Sequence, residues 1–72
     1  MGRSSKEEAA RTRARIVETA CKLFRDTGVD QISVADVMGE LGLTTGGFYK
    51  HFDSKEALVA EAVSLAFEQS TS

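Results

Sequence analysis

No proline occurs in this chain of 72 residues, so glycine is the residue able to interrupt it, and Gly28 and Gly42 stand where two helical patterns stop. Ahead of Gly28, the residues Ile16, Val17, Ala20, Leu23 and Phe24 recur at three- and four-residue spacings. That is one apolar stripe of a helix running from Ser5 to Thr27. Gly28 ends it, because glycine enters the left-handed region without a Cβ penalty. Val29-Asp30-Gln31 then forms a short connection. The interval before Gly42 has room for only about two helical turns. Ser33 and Asp36 have the spacing of a capping box, flanked by Ile32 and Val37 at the staple positions. Val34, Val37, Met38 and Leu41 form the inward face of this second helix.

The bend that follows is Leu41-Gly42-Leu43-Thr44, in which the two leucines are expected to pin the turn to the core. Thr44 is the natural N-cap of a third segment, Thr45 to about His51, anchored by Phe48 and Phe52. Val37 and Phe48 then meet across the two helices. A further cap falls on Asp53 or on Ser54, and the spacing suits both. A fourth helix runs from about Lys55 to Gln69. Leu58, Ala62, Leu65 and Ala66 fall on one stripe, which Val59, Val63 and Phe67 widen. That surplus has two destinations, the first helix or something beyond residue 72. The pattern is all-α: a three-helix bundle with a helix-turn-helix, plus the start of a fourth helix.

With 42% hydrophobic and 28% charged residues, the composition is that of a folded globular domain. No apolar run approaches the roughly 20 residues that span a bilayer, and no signal-peptide stretch follows the charged start. A cytoplasmic protein without a membrane partner is expected. One cysteine, Cys21, makes no internal disulfide and reads as buried filler. Beside a single His51 it completes no zinc ligand set. No nucleophile with a base, carboxylate pair or phosphate-binding glycine loop is present. Neither an enzyme nor a cofactor is expected.

The net charge of −2 argues at first against a nucleic-acid partner, since phosphate neutralisation dominates DNA affinity. Its distribution argues otherwise. Residues 1–25 hold Arg3, Lys6, Arg11, Arg13, Arg15, Lys22 and Arg25 against Glu7, Glu8 and Glu18, seven bases against three acids. From Asp26 to Tyr49 there are only acids. Such segregation suits a one-faced binder, although solvated helix faces produce it too. Two short helices across a glycine bend are the layout that sets a recognition helix in the major groove of DNA. On the third segment Thr44, Thr45, Tyr49 and Lys50 point outward. The pair Gly46-Gly47 costs roughly 1 kcal/mol per residue in helix propensity. Close backbone approach to DNA is one reason to carry such a pair, and tight packing against a neighbouring helix is another.

The stretch LTTGGFYKHFDSKEAL, with Ile16, Ala20, Leu23-Phe24, Gly28 and Val34-Ala35-Asp36-Val37 upstream, resembles the TetR family over nearly the whole chain. The most specific positions are Gly42, Thr44, Thr45, Phe48, Tyr49, His51, Phe52 and Lys55. The resemblance implies a homeodomain-like domain of the TetR N-terminal type. It implies that Tyr49, His51 and Lys55 contact backbone phosphates, and that Thr44, Thr45 and Gly46 approach base edges. It also implies that Ser33 touches phosphate from the second helix and that Lys50 lies in or beside the groove. One departure is Met38-Gly39, where helix-turn-helix sequences often carry alanine at the interhelical crossing. Met38 is adaptable there, and Gly39 is expected to relieve crowding.

On this resemblance residues 1–53 form the DNA-binding domain with a basic N-terminal arm. Residues 54–72 form a connector toward a C-terminal ligand and dimerisation domain absent from the sequence. The implied partner is double-stranded DNA, one operator half-site per copy, read as a homodimer by the full-length protein acting as a transcriptional repressor. A small-molecule inducer would act only through the missing domain. The alternative is a small helical protein-interaction module, which the amphipathic fourth helix also suits.

Overall fold

The computed structural model describes residues 5–71, with side chains for residues 6–68. Arg3, the outermost cation of the expected basic arm, lies outside the described residues. Four α-helices follow one another: α1 (Ser5–Thr27), α2 (Val34–Glu40), α3 (Thr45–Phe48) and α4 (Lys55–Thr71), with a 3-10 turn at Val29–Gln31 between the first two. There is no strand among the described residues. Among them, no helix is long and apolar enough to cross a membrane.

Helix α1 has Glu7 and Glu8 in its first turn and Arg25 in its last, the charge order that complements the helix dipole. Its stripe turns inward as the periodicity requires. Ile16, Val17 and Ala20 are buried, and Leu23 and Phe24 pack partly buried against them. Cys21 is buried as well. Gly28 donates its amide to the Phe24 carbonyl at 2.8 Å. Its φ of 110° and ψ of 143° combine a positive φ with an extended ψ, a combination open essentially to glycine, so the chain leaves α1 stretched out and does not curl in the left-handed cap expected from sequence.

The second helix opens on the anticipated capping box. Asp36 donates its amide to the Ser33 hydroxyl oxygen at 3.2 Å, and the Ser33 amide donates to the Asp36 carboxylate at 2.8 Å. The staple residues Ile32 and Val37 are both buried in the same core. At the other end the Leu43 amide reaches back to the Met38 carbonyl at 2.8 Å and the Gly42 amide to the Gly39 carbonyl at 3.1 Å. That pair is a Schellman motif, and its left-handed residue is Gly42 at φ 72°. Leu41 is partly buried as expected, but Leu43 is 42% exposed. One leucine pins the bend. The other follows the left-handed residue, which turns the chain outward.

Helix α3 is shorter than the sequence pattern predicts. Regular helix spans Thr45–Phe48, and hydrogen-bonded turns carry the chain on to Phe52, with the His51 and Phe52 amides bonded to the Phe48 carbonyl at 2.9 and 3.0 Å. Thr44 occupies the N-cap position with extended backbone, but its side chain makes no capping bond. Before α4 the choice between caps falls to Ser54, whose hydroxyl accepts the Ala57 amide at 3.3 Å. Helix α4 runs two residues beyond the expected end. Leu58 and Ala62 are buried and Leu65 packs at the edge of the core, whereas Val63 and Phe67 stay 47% and 68% exposed.

The core gathers Ile16 and Ala20 from α1, Val37 and Met38 from α2, Phe48 from α3, Phe52 from the turn after it, and Leu58 from α4. Each is almost wholly removed from water, at a gain of roughly 1.5–3 kcal/mol for each of the larger side chains. Helix α1 packs more extensively against α4 than against α2. The pair α1–α4 is therefore the frame on which the bend and α3 are mounted.

Candidate nucleic-acid interface

The segment 44–52 separates its side chains sharply by burial. Phe48 and Phe52 point into the core and stack on each other, ring centroids 5.2 Å apart and planes inclined by 20°. Thr44, Thr45, Tyr49 and Lys50 are exposed, and His51 is half-buried. Tyr49, at 59% exposure, meets Phe48 edge-on, with ring centroids 4.9 Å apart and an interplanar angle of 87°. Its ring is thereby braced on one side while the rest of it faces solvent, the arrangement that gives tyrosine an apolar seat and a polar tip. The sequence expectation for this face holds for each of its four outward residues.

Gly46 and Gly47 are explained by nothing inside the fold. Neither has a positive φ. A Cβ at Gly46 would meet only the Thr44 hydroxyl at 3.8 Å, and one at Gly47 only Met38 Cε at 3.9 Å and the same hydroxyl at 4.0 Å. These are ordinary van der Waals separations, so packing against a neighbouring helix does not require either glycine. The proposed relief of crowding at the α2–α3 crossing is corrected on the same grounds. Met38 is buried, but Gly39 has open space around it and Gly47 is the glycine facing the methionine.

The remaining candidates lie around this segment with prior engagements. Ser33 is exposed, yet its hydroxyl donates to the Asp36 carboxylate at 3.0 Å while accepting the Asp36 amide. The Ser33 amide, then the Ser33 hydroxyl, hold the Asp36 carboxyl below its ordinary pKa, with the Lys55 charge adding in the same direction. Lys55 donates to the Val29 carbonyl at 2.9 Å, tying the start of α4 to the 3-10 turn. An ammonium has three N–H groups, so two remain for another acceptor. Sequence reasoning missed Arg13. Its Cζ lies 4.5 Å from the centre of the Phe52 ring, and its Nη1 lies 3.2 Å from Glu61 Oε1. Among the described residues no group of three or more His, Cys, Asp or Glu side chains is placed to hold a metal ion.

Residues 16–62 match the family model described as "Bacterial regulatory proteins, tetR family". The chain belongs to this family. That match runs from the buried stripe of α1 through the bend and α3 to Ala62 of α4, covering every buried core residue named above. Similar TetR-family proteins include the HTH-type transcriptional regulator TtgR of Pseudomonas putida, 44% identical over 59 residues, 82% of this chain and 28% of that protein. The HTH-type transcriptional regulator AcrR of Shigella flexneri is 38% identical over 61 residues, 85% of this chain and 28% of that one. A probable acrEF/envCD operon repressor of Escherichia coli is 34% identical over 61 residues, with the same two coverages of 85% and 28%. The chain thus spans less than a third of the length of these relatives. No solved structure matches it.

Proposed function

We propose that this TetR-family chain is the sequence-specific DNA-binding module of a transcriptional repressor, inserting residues 45–51 into the major groove of an operator half-site. The observation that carries the reading is the pair Gly46-Gly47. The fold has no steric or dihedral need of them, and they sit on a surface otherwise made of Thr44, Thr45, Tyr49 and Lys50, so a close external backbone is the remaining use for bare peptide. In this reading Thr44, Thr45 and Gly46 approach base edges, with threonine methyls able to meet thymine methyls. Tyr49, His51 and Lys55 grip phosphates, Ser33 touches the backbone from the start of α2, and Lys50 lies in or beside the groove. Lys55 reaches phosphate with the two N–H groups that the Val29 carbonyl leaves. The module has no enzymatic role and works in the cytoplasm. Residues 1–53 hold the DNA-reading part, and residues 54–72 lead toward a further domain through which the whole protein dimerises and answers a small-molecule inducer.

The test is binding to labelled duplexes, one enriched from a random pool by the wild-type chain and one left random. Affinity for both should fall with added salt, by a slope of about −0.9 per phosphate contacted. Gly46→Ala should raise thermal stability through its helix propensity and at the same time weaken binding to the enriched duplex. Lys55→Ala should weaken both duplexes alike, whereas changes at Thr45 should alter the preference between them. A Gly46→Ala variant that binds the enriched duplex as well as wild type removes the main support. The exposed Val63 and Phe67 of α4 favour a second reading, a helix-docking module. A flat salt response with no DNA affinity at low salt would select it.

A further inference from the structure

The recognition segment is held from behind by a side chain that lies outside the family-matched residues 16–62. Among the arginines of α1, Arg11, Arg15 and Arg25 are exposed, whereas Arg13 is half-buried. Its guanidinium lies over the Phe52 ring with Cζ 4.5 Å from the centroid, and it donates to Glu61 of α4 at 3.2 Å. Phe52 closes the turn after α3, its amide bonded to the Phe48 carbonyl at 3.0 Å, and stacks on Phe48, which in turn braces the exposed Tyr49. One contiguous series of contacts therefore runs from Glu61 on α4, through Arg13 on α1 and the two phenylalanines, to Tyr49. A planar guanidinium can stack over a ring while its in-plane N–H groups reach a carboxylate. A compact ammonium does not do both from one position.

We infer that Arg13 is a positioning residue for the DNA-reading segment, setting the seat of Phe52 and through it the pose of Tyr49, with Glu61 orienting the guanidinium. This deepens the DNA-binding reading and rests on it. It assigns Arg13 a role distinct from the phosphate contact that an arginine at the surface of a DNA-binding domain would otherwise be given. It also links the α1–α4 packing to the outward face of the segment, so a change in how α4 lies against α1 alters what Tyr49 presents.

The chain has a single tyrosine and no tryptophan, so its intrinsic emission reports Tyr49 alone. The experiment compares wild type with Arg13→Ala, Arg13→Lys and Glu61→Gln in two readouts. These are acrylamide quenching of Tyr49 in the free protein, and affinity for the enriched and random duplexes across a salt series. Arg13→Ala should change the quenching and lower the affinity for the enriched duplex about two- to five-fold, the range of an exposed cation–π contact. Random-duplex affinity should fall less than enriched-duplex affinity, because the pose of the segment sets the base contacts as well as the phosphate contact of the neutral Tyr49, and the salt slope should stay as in wild type. Arg13→Lys should recover part of the loss, and Glu61→Gln should reduce the enriched-to-random ratio less than Arg13→Ala. Equal weakening on both duplexes with a slope flatter by about 0.9 would make Arg13 a phosphate contact and overturn the proposal. Unchanged quenching with unchanged enriched affinity would overturn it as well, leaving a surface brace. Should Arg13→Ala fail to fold, Arg13→Lys and Glu61→Gln decide by the same readouts. A wild-type chain without preference between duplexes counts against the DNA-binding reading, and the quenching arm then still decides whether Arg13 sets Tyr49.

Discussion

Alanine placed at Gly39 and at Gly42, three residues apart, should move the stability of this chain in opposite directions. Apart from the adjacent backbone, neither site has an atom within 4 Å of an added Cβ, so packing against the rest of the fold cancels and only local backbone preference remains. Gly39 is inside α2 without a positive φ. Alanine there gains helix propensity, about 0.5–1 kcal/mol, with the lower end apt because α2 ends one residue later. Gly42 has φ 72°, where a Cβ crowds the following carbonyl at a cost of roughly 1–2 kcal/mol. The entropy removed from the unfolded chain returns about 0.4–1 kcal/mol of that, for a net loss near 1 kcal/mol. In a domain of this size each kcal/mol moves the melting temperature by about 4–8 °C. Thermal unfolding followed by far-ultraviolet circular dichroism should therefore separate the two variants by roughly 6–12 °C on opposite sides of wild type. Gly42→Asn should fall between wild type and Gly42→Ala, because asparagine tolerates the left-handed region. If Gly42→Ala melts at or above wild type, the bend does not depend on a left-handed residue and the Schellman assignment is wrong.

Ser33→Ala removes a bonded N-cap and should cost about 1 kcal/mol in urea unfolding at neutral pH. The Asp36 carboxyl is held below its ordinary value, so its contribution is present above the unfolded carboxylate pKa of about 3.9 and fades as pH falls through the lower folded value. The stability gap between wild type and Asp36→Asn should accordingly close on acidification, and a gap that widens would contradict the capping box. Phe48→Ala empties the centre of the core at about 3–5 kcal/mol, against a total stability of roughly 4–11 kcal/mol for a chain of this length. Calorimetry should find the transition lowered by at least about 12 °C or lost altogether, and a cooperative transition near that of wild type would refute the central place of Phe48. Phe67→Glu, on the exposed side of α4, should leave thermal stability within about 0.5 kcal/mol of wild type, whereas Leu58→Glu should abolish folding. A large loss at Phe67 would mean that the outer stripe of α4 is used within this fold.

What the sequence disclosed and what it concealed follow a division by range. The bounds of α1, the capping box of α2, the bend at Gly42 and the inward Phe48 and Phe52 beside an outward Tyr49 all depend on residues within four or five positions of one another. Helical spacing and cap chemistry determine such features locally. The concealed features join distant parts of the chain. Lys55 bonds to the Val29 carbonyl and Arg13 to Glu61, 26 and 48 residues away, and no periodicity encodes such pairs. Leucines flank many bends, which predicts Leu43 inside. Its exposure depends on where the chain points after a left-handed residue, which is a tertiary outcome. Ser54 and Asp53 satisfy the same local rule, so only the packed structure chooses between them.

The charge pattern acquires a physical meaning once the faces are known. The segment proposed to read DNA is almost free of charge: from Asp26 to Tyr49 the chain has no Lys or Arg, and Lys50 is the one cation among the exposed residues 44–50. On the proposed reading, charge-based attraction to phosphate comes mainly from outside that segment, from Lys55 and the exposed cations of α1, beside the phosphate contacts assigned to Tyr49 and His51, while Thr44, Thr45 and the bare peptide at Gly46-Gly47 supply contacts that depend on the bases. On that reading, discrimination depends on how accurately a short segment with one cation, Lys50, is held. With only four residues of regular helix, that accuracy comes from the phenylalanine stack behind it and from the α1–α4 frame on which the stack rests.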